Sequence, residues 1–137
     1  MAIITWGEDF SVGVHELDEQ HKELILIINE LFALYAAKKF KNTDVTPIFQ
    51  SLKKYSDAHL STEEHYFILY NYPKLVQHVE QHNLYRKKLA ELEANYNTEN
   101  SEKTLFALND FLNEWWTWHI NHVDKEYTEY FHANGLK

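Results

Sequence analysis

The sequence predicts an all-α protein: an antiparallel up-down-up-down four-helix bundle with an irregular N-terminal arm. Three observations predict it. Gly occurs 3 times and Pro 2 times in 137 residues, too rarely for turn-rich β architectures, collagen or low-complexity linkers. Apolar side chains recur every three to four residues along four long stretches. Short polar turns join those stretches, too short for crossover connections, so successive helices should run antiparallel. The length and the 45% apolar content suit one domain with its own core. Residues 1–137 read as that domain, with the arm at 1–16 and the bundle at 17–132.

The arm is punctuated by Gly7 and Gly13, and Trp6, Phe10, Val12 and Val14 give it something to pack with. Asp18 is the expected cap of a first helix over about 18–38. Its stripe is His21, Leu24, Ile25, Ile28, Leu31, Phe32 and Tyr35, and Lys41-Asn42-Thr43 breaks it. A second helix is expected over about 44–70, capped by Thr43 or Thr46, with Pro47 in its first turn. Its stripe reads Val45, Ile48, Phe49, Leu52, Tyr55, His59, Glu63, Tyr66/Phe67 and Tyr70. Asn71-Tyr72-Pro73 is a stop and a restart, with Pro73 opening a third helix over about 73–96. Leu75, His78, Val79, His82, Tyr85, Leu89, Leu92 and Tyr96 line its inner face. Asn100 or Ser101 should cap the fourth helix, whose stripe is Leu105, Leu108, Phe111/Leu112, Trp115 and His119. Ala133-Asn134-Gly135 reads as a helix C-terminus.

Composition excludes several function classes. Lys+Arg number 13 against 21 Asp+Glu, a formal net charge of −8, which disfavours nucleic acid and anionic membrane as partners. Cys is absent, so disulfides, thiolate metal sites and cysteine nucleophiles are excluded. No apolar run approaches the ~20 residues of a membrane span. The N-terminus has neither a basic region nor a long apolar one, so no signal peptide and a cytoplasmic location are expected.

The informative feature is where the 9 His fall. His21, His59, His78, His82 and His119 each occupy the apolar stripe of a helix, and Glu63 follows His59 by one turn. A lone stripe histidine is more often a packed core residue. Five of them, spread over four helices, would cost several kcal/mol to bury without partners, and a bound metal removes that penalty. His59/Glu63 and His78/His82 are i, i+4 pairs on one helix face. His119 and Asp124 are i, i+5, which needs a distorted or bent helix to converge. Five imidazoles and two carboxylates are too many for one tetrahedral zinc and suit two metals with bridging carboxylates. Nitrogen with carboxylate, without sulfur, suits iron or manganese as well as zinc. The zincin motif fails, because Val79 rather than Glu follows His78. The ferritin-like pattern needs two Glu-x-x-His motifs, and only Glu129-Tyr130-Phe131-His132 matches. His15, His65, His122 and His132 read as solvated.

The order His21 … His59-x-x-x-Glu63 … His78-x-x-x-His82 … His119-x-x-x-x-Asp124 resembles the hemerythrin signature. The flanks agree: Trp6, Val12-Gly13-Val14, Leu17 to Lys22 (LDEQHK), Glu63-Glu64, Tyr72-Pro73 and Trp118-His119-Ile120. The resemblance covers nearly the whole chain and is closest to the single-domain bacterial members. It implies two iron ions (Fe2+/Fe3+) per chain with an oxo or hydroxo bridge. His78, His82 and His119 would hold one iron, His21 and His59 the other, and Glu63 and Asp124 would bridge them. The second iron would keep an open position for dioxygen, beside an apolar pocket of Leu24, Leu60, Trp115 and Ile120. The implied function is reversible dioxygen binding for carriage, storage or sensing, without enzymatic turnover. The expected partners are dioxygen and an oxygen-using enzyme, with neither nucleic acid nor membrane, and the chain is expected to be a monomer. The alternatives are a di-iron oxidase or peroxidase, or an iron-storage module.

Overall fold

The computed structural model describes residues 3–38 and 44–137. It contains four long helices: α1 His15–Ala36, α2 Thr46–Leu69, α3 Leu75–Ala94 and α4 Ser101–Glu114. The rod begun by α4 continues as a π-helical segment, Trp115–Val123, a 3-10 turn, Asp124–Tyr127, and a short α5, Thr128–Ala133. Side-chain pairs establish the directions. Glu16 meets Tyr66 and Gln20 meets Thr62. Lys53 meets Glu93 and Ser56 meets Tyr85. Tyr35 packs on Phe106 while His21 packs on Trp116. In each case the number rises on one helix as it falls on the other, so the neighbours are antiparallel and the bundle closes.

Local chemistry sets the helix ends, and not always as the sequence suggests. α1 starts at His15 rather than near residue 18, and Asp18 does not cap it. The Asp18 carboxylate reaches back to the arm and accepts from Val12 N–H at 2.8 Å and Ser11 Oγ at 2.5 Å. An acidic side chain in the first turn also suits the helix dipole. Val45, not Thr46, occupies the N-cap of α2, with Pro47 in its first turn, and Thr43 lies outside the described residues. Pro73 belongs to the turn and α3 begins two residues later, because Asn71 takes a positive φ of 52° and Tyr72 N–H closes on Phe67 O at 2.8 Å. Asn100 is the N-cap of α4, as expected, but makes no side-chain cap bond there. Asn97 does that work one turn earlier, accepting from Glu99 and Asn100 N–H while Asn100 Oδ1 accepts from Asn97 N–H. The C-terminus is as expected: Gly135, with φ 85°, ends α5.

Among the described residues the core divides into two apolar clusters. The larger fills the bundle between α1 and α4, with Leu24, Ile28, Leu52, Leu60, Leu108 and Ile120 among its members. The smaller joins the arm to the chain end: Val12, Val14, Leu17, Phe67, Tyr72, Tyr127 and Phe131. The arm is pinned by Ile4, which exchanges two hydrogen bonds with the Asn29 carboxamide, and by Thr128 Oγ1 donating to Val12 O. His132 is therefore not solvated: it is half-buried and its Nε2 lies 2.6 Å from Gly13 O. His15, His65 and His122 are exposed, as expected.

Candidate metal centre

Between the two apolar clusters lies a polar one. His21 comes from α1, His59 and Glu63 from α2, His78 and His82 from α3, and His119 and Asp124 from the end of the fourth rod. All seven are at most 3% exposed. Their ligand-type atoms form two overlapping groups, each with atoms within 4.8 Å of one another. One is Glu63, His78, His82, His119 and Asp124; the other is His21, His59, Glu63 and Asp124. The two carboxylates belong to both. The π-helical segment brings the last two residues together. In a regular α-helix, positions i and i+5 lie about 140° apart. The wider i→i+5 turn carries one extra residue, and His119 Nε2 sits 3.0 Å from Asp124 Oδ1.

His21 Nε2 pairs with His59 Nε2 at 3.1 Å, but most of the donor atoms face each other without satisfying each other. His78 Nε2 lies 2.8 Å and His21 Nε2 3.3 Å from Asp124 oxygens, and His59 and His82 Nε2 lie 3.2 and 3.3 Å from Glu63 Oε1. Yet both oxygens of Glu63 and of Asp124, and Nε2 of His78, His82 and His119, are buried without a hydrogen-bond partner among the described residues. Orphaned buried polar atoms are costly, and seven converging on one volume fit shared cations of the nitrogen-and-carboxylate type.

A second ring of side chains fixes the imidazoles. Gln20 Oε1 lies 2.6 Å from His59 Nδ1, Glu64 Oε2 2.7 Å from His82 Nδ1, and Gln81 Oε1 2.8 Å from His119 Nδ1. With Nδ1–H donating outward, Nε2 presents its lone pair to the cluster. The pattern is regular. Each orienting residue adjoins a cluster residue on its own helix and reaches the imidazole of the next helix. Arg86 holds Glu64 in turn, at 3.0 Å. Sequence reasoning missed Gln81 and met Gln20 and Glu64 only as flanks of a motif. Their signal is adjacency: a residue next to a core ligand points about 100° around the helix, toward the neighbouring helix.

Charge is unevenly held. Burial and the Asp124 charge push the Glu63 carboxyl up, but His59 and His82 hold it well below the ordinary range. Burial pushes Asp124 the same way, and His119, His21 and His78 outweigh it, so it too stays ionised. Burial lowers His59; at His82 burial acts the same way, but the Glu63 carboxylate 3.3 Å from Nε2 and the Glu64 carboxylate bonded to Nδ1 outweigh it and raise the imidazole to about 9.

Of the pocket neighbours expected from sequence, Leu24, Leu60 and Ile120 are buried in the larger apolar cluster. Trp115 is half-buried and lies on the outer flank of His119, rings parallel within 7° at 3.8 Å. Its neighbour Trp116, which the sequence reading passed over, is the buried indole, edge-on to His21 at 6.3 Å. Tyr127 was also missed. It packs on His78 at 5.9 Å, and burial and the Glu63 and Asp124 charges raise its phenol well above the usual value, keeping it protonated.

The family model of the hemerythrin HHE cation binding domain matches residues 12–133. The chain belongs to the hemerythrin family. A bacteriohemerythrin of Clostridium acetobutylicum is 27% identical over 129 residues, covering 93% of this chain and 100% of that protein. A bacteriohemerythrin of Stenotrophomonas maltophilia is 25% identical over 134 residues, 98% of this chain and 85% of that one. A hemerythrin-like protein of Naegleria gruberi is 27% identical over 122 residues, 89% and 88% of the two chains.

Proposed function

We propose that this chain binds dioxygen reversibly at a non-haem di-iron centre with an oxo or hydroxo bridge, serving carriage, storage or sensing rather than turnover. The observation that carries the reading is an asymmetry in the cluster. One group supplies three imidazoles and two carboxylates, the other two imidazoles and the same two carboxylates. The poorer group, with His21 and His59, would hold its metal with one imidazole fewer, a place an external ligand would complete. When bound, a pair of irons supplies two electrons to that ligand. The protein's own part is to seat the metals and keep the site dry. Glu63 and Asp124 neutralise charge and span both positions. Leu24, Leu60, Trp116 and Ile120, all at most 4% exposed, exclude water from the His21/His59 side. The carboxylates and imidazoles nearest the centre are absorbed as ligands or as their orienting partners, which speaks against an acid–base enzyme. The proposed partners are dioxygen and an oxygen-using enzyme that receives it, with the chain acting as a monomer in the cytoplasm.

The test is metal analysis and anaerobic spectroscopy. Protein from iron-replete cells should carry two irons per chain. Its reduced form should be nearly colourless, gain a visible band in air and lose it under vacuum. One metal per chain, or zinc in place of iron, would overturn the reading. Steady peroxide consumption with a reductant would favour the oxidase or peroxidase alternative.

A further inference from the structure

A cleft lies one ring away from the cluster, on the outer surface between α3 and the fourth rod. It encloses about 470 Å3, within the ~300–1,000 Å3 range of small-molecule sites. Tyr85, Phe111, Trp115 and Trp118 give it aromatic walls. Trp118 and Leu84 stand at its rim, each 67% exposed, which puts two large apolar side chains together in water. Its charges are balanced, one Lys88 against one Glu114, and the chain as a whole is at −8. Such a cleft does not select an anion. Gln81 also lines it; with its oxygen engaged by His119, its amide N–H groups remain as donors. Trp115 connects the two sites: it lines the cleft and stacks on His119 at 3.8 Å.

We infer that this cleft binds the isoalloxazine ring of a flavin and that the reduced ring delivers electrons to the metal centre through Trp115 and His119. The oxidised ring is flat and uncharged, so it stacks on aromatic walls. Its edge carbonyls accept from a side-chain amide such as that of Gln81. Between the ring and the cluster stand only an indole and an imidazole in contact. The electron step rests on the di-iron reading; the binding step does not. In the electron step the dihydroflavin gives two electrons, one to each of two Fe3+, and becomes oxidised flavin. Two Fe2+ form, and two protons leave to solvent through the open side of the cleft. Such a step returns to the reduced state a centre that oxygen has oxidised.

Two measurements test the inference on the purified, metal-loaded chain. In the first, riboflavin and flavin mononucleotide are titrated with protein and their fluorescence is followed. Saturable quenching is expected for both, with affinities alike because the ring is what binds. The rim variant Leu84→Ala/Trp118→Ala should bind at least about tenfold more weakly, the scale of one lost stacking contact, with unchanged metal content. Absence of saturable quenching, equal binding by the variant, or binding of the mononucleotide alone would overturn ring recognition. In the second, the oxidised protein is mixed anaerobically with dihydroriboflavin or with dithionite. The rate with the flavin should saturate in the wild type and become slower and linear in the variant, while dithionite reduces both equally. Equal flavin rates in the two proteins would overturn the electron path. A protein without iron would remove the electron step along with the di-iron reading, and the titration would still decide the binding.

Discussion

At the residue scale, the imidazoles are prepared before any metal arrives. Gln20, Glu64 and Gln81 hold the Nδ1 protons of His59, His82 and His119, so Nε2 faces inward. Gln81→Leu should therefore lower metal affinity by about 10–100-fold, the usual scale for an orienting partner, measured by chelator competition. His78→Ala and His82→Ala each delete a donor and should lose metal outright. Glu63→Ala removes a group common to both positions and should be at least as damaging. His65→Ala and His122→Ala, on exposed positions, should retain the wild-type metal content. Loss of metal from His122→Ala with retention in Asp124→Ala would show that Asp124 is not the last ligand.

At the element scale, the π-helical segment and the arm carry different loads. The extra residue of the π turn is what lets His119 and Asp124 converge at a spacing of five. Deleting Asn121 shortens the spacing to four, which a regular α-helix also brings to one face, about 40° apart. That variant should keep its metal. Inserting one Ala after Asn121 makes the spacing six, about 120° apart in a regular helix, and should lose it. Circular dichroism with metal analysis separates loss of helix from loss of convergence. The arm depends on Gly13. Its φ is +75°, and an added Cβ would stand 2.7 Å from the Thr128 methyl and 2.8 Å from His132 Nε2. Gly13→Ala should cost about 1–3 kcal/mol through backbone strain and contact, read as a fall in the denaturation midpoint. Lys125 Nζ also donates to Asp9 O, so the loosened arm should expose the smaller apolar cluster first.

At the scale of the whole molecule, metal and protons compete for one buried cluster, and the pH dependence should differ between the two states. In the metal-free chain, His82 is raised to about 9. Its contribution is fully present below its unfolded value near 6.5 and is lost as pH rises through 9; a shift of that size corresponds to up to about 3 kcal/mol. Glu63 and Asp124 are depressed. Their contribution is present above their unfolded values near 4 and is lost on acidification below that. Metal requires the Nε2 lone pairs, so its binding strengthens as pH rises over the range where the metal-free chain weakens. The melting-temperature gap between metal-loaded and metal-free protein should therefore widen from pH 6.5 to 9. Parallel melting curves over that range would show that the cluster does not couple folding to metal.

Helix number, most helix faces and the inward position of the five histidines and Glu63 were legible in the sequence, because periodicity is a local property of a chain; Asp124 was marked by the family resemblance rather than by periodicity, and the π-helical segment turns it inward. His59 with Glu63 and His78 with His82 needed only the pitch of an α-helix. Other features depended on what lies opposite. Asp18 gives up a cap to bind the arm, and Pro73 sits in a turn closed by Tyr72 and Phe67. Trp115 stacks on the outer flank of His119 while Trp116, the next residue around the helix, is buried against His21. Gln81 became visible as an orienting group only when His119 stood beside it. The sequence by itself determined the inner stripe of each of the first three helices and of the fourth as far as Leu112. The tertiary structure decided which atoms meet there, because hydrogen-bond closure and ring contact depend on neighbours tens of residues away.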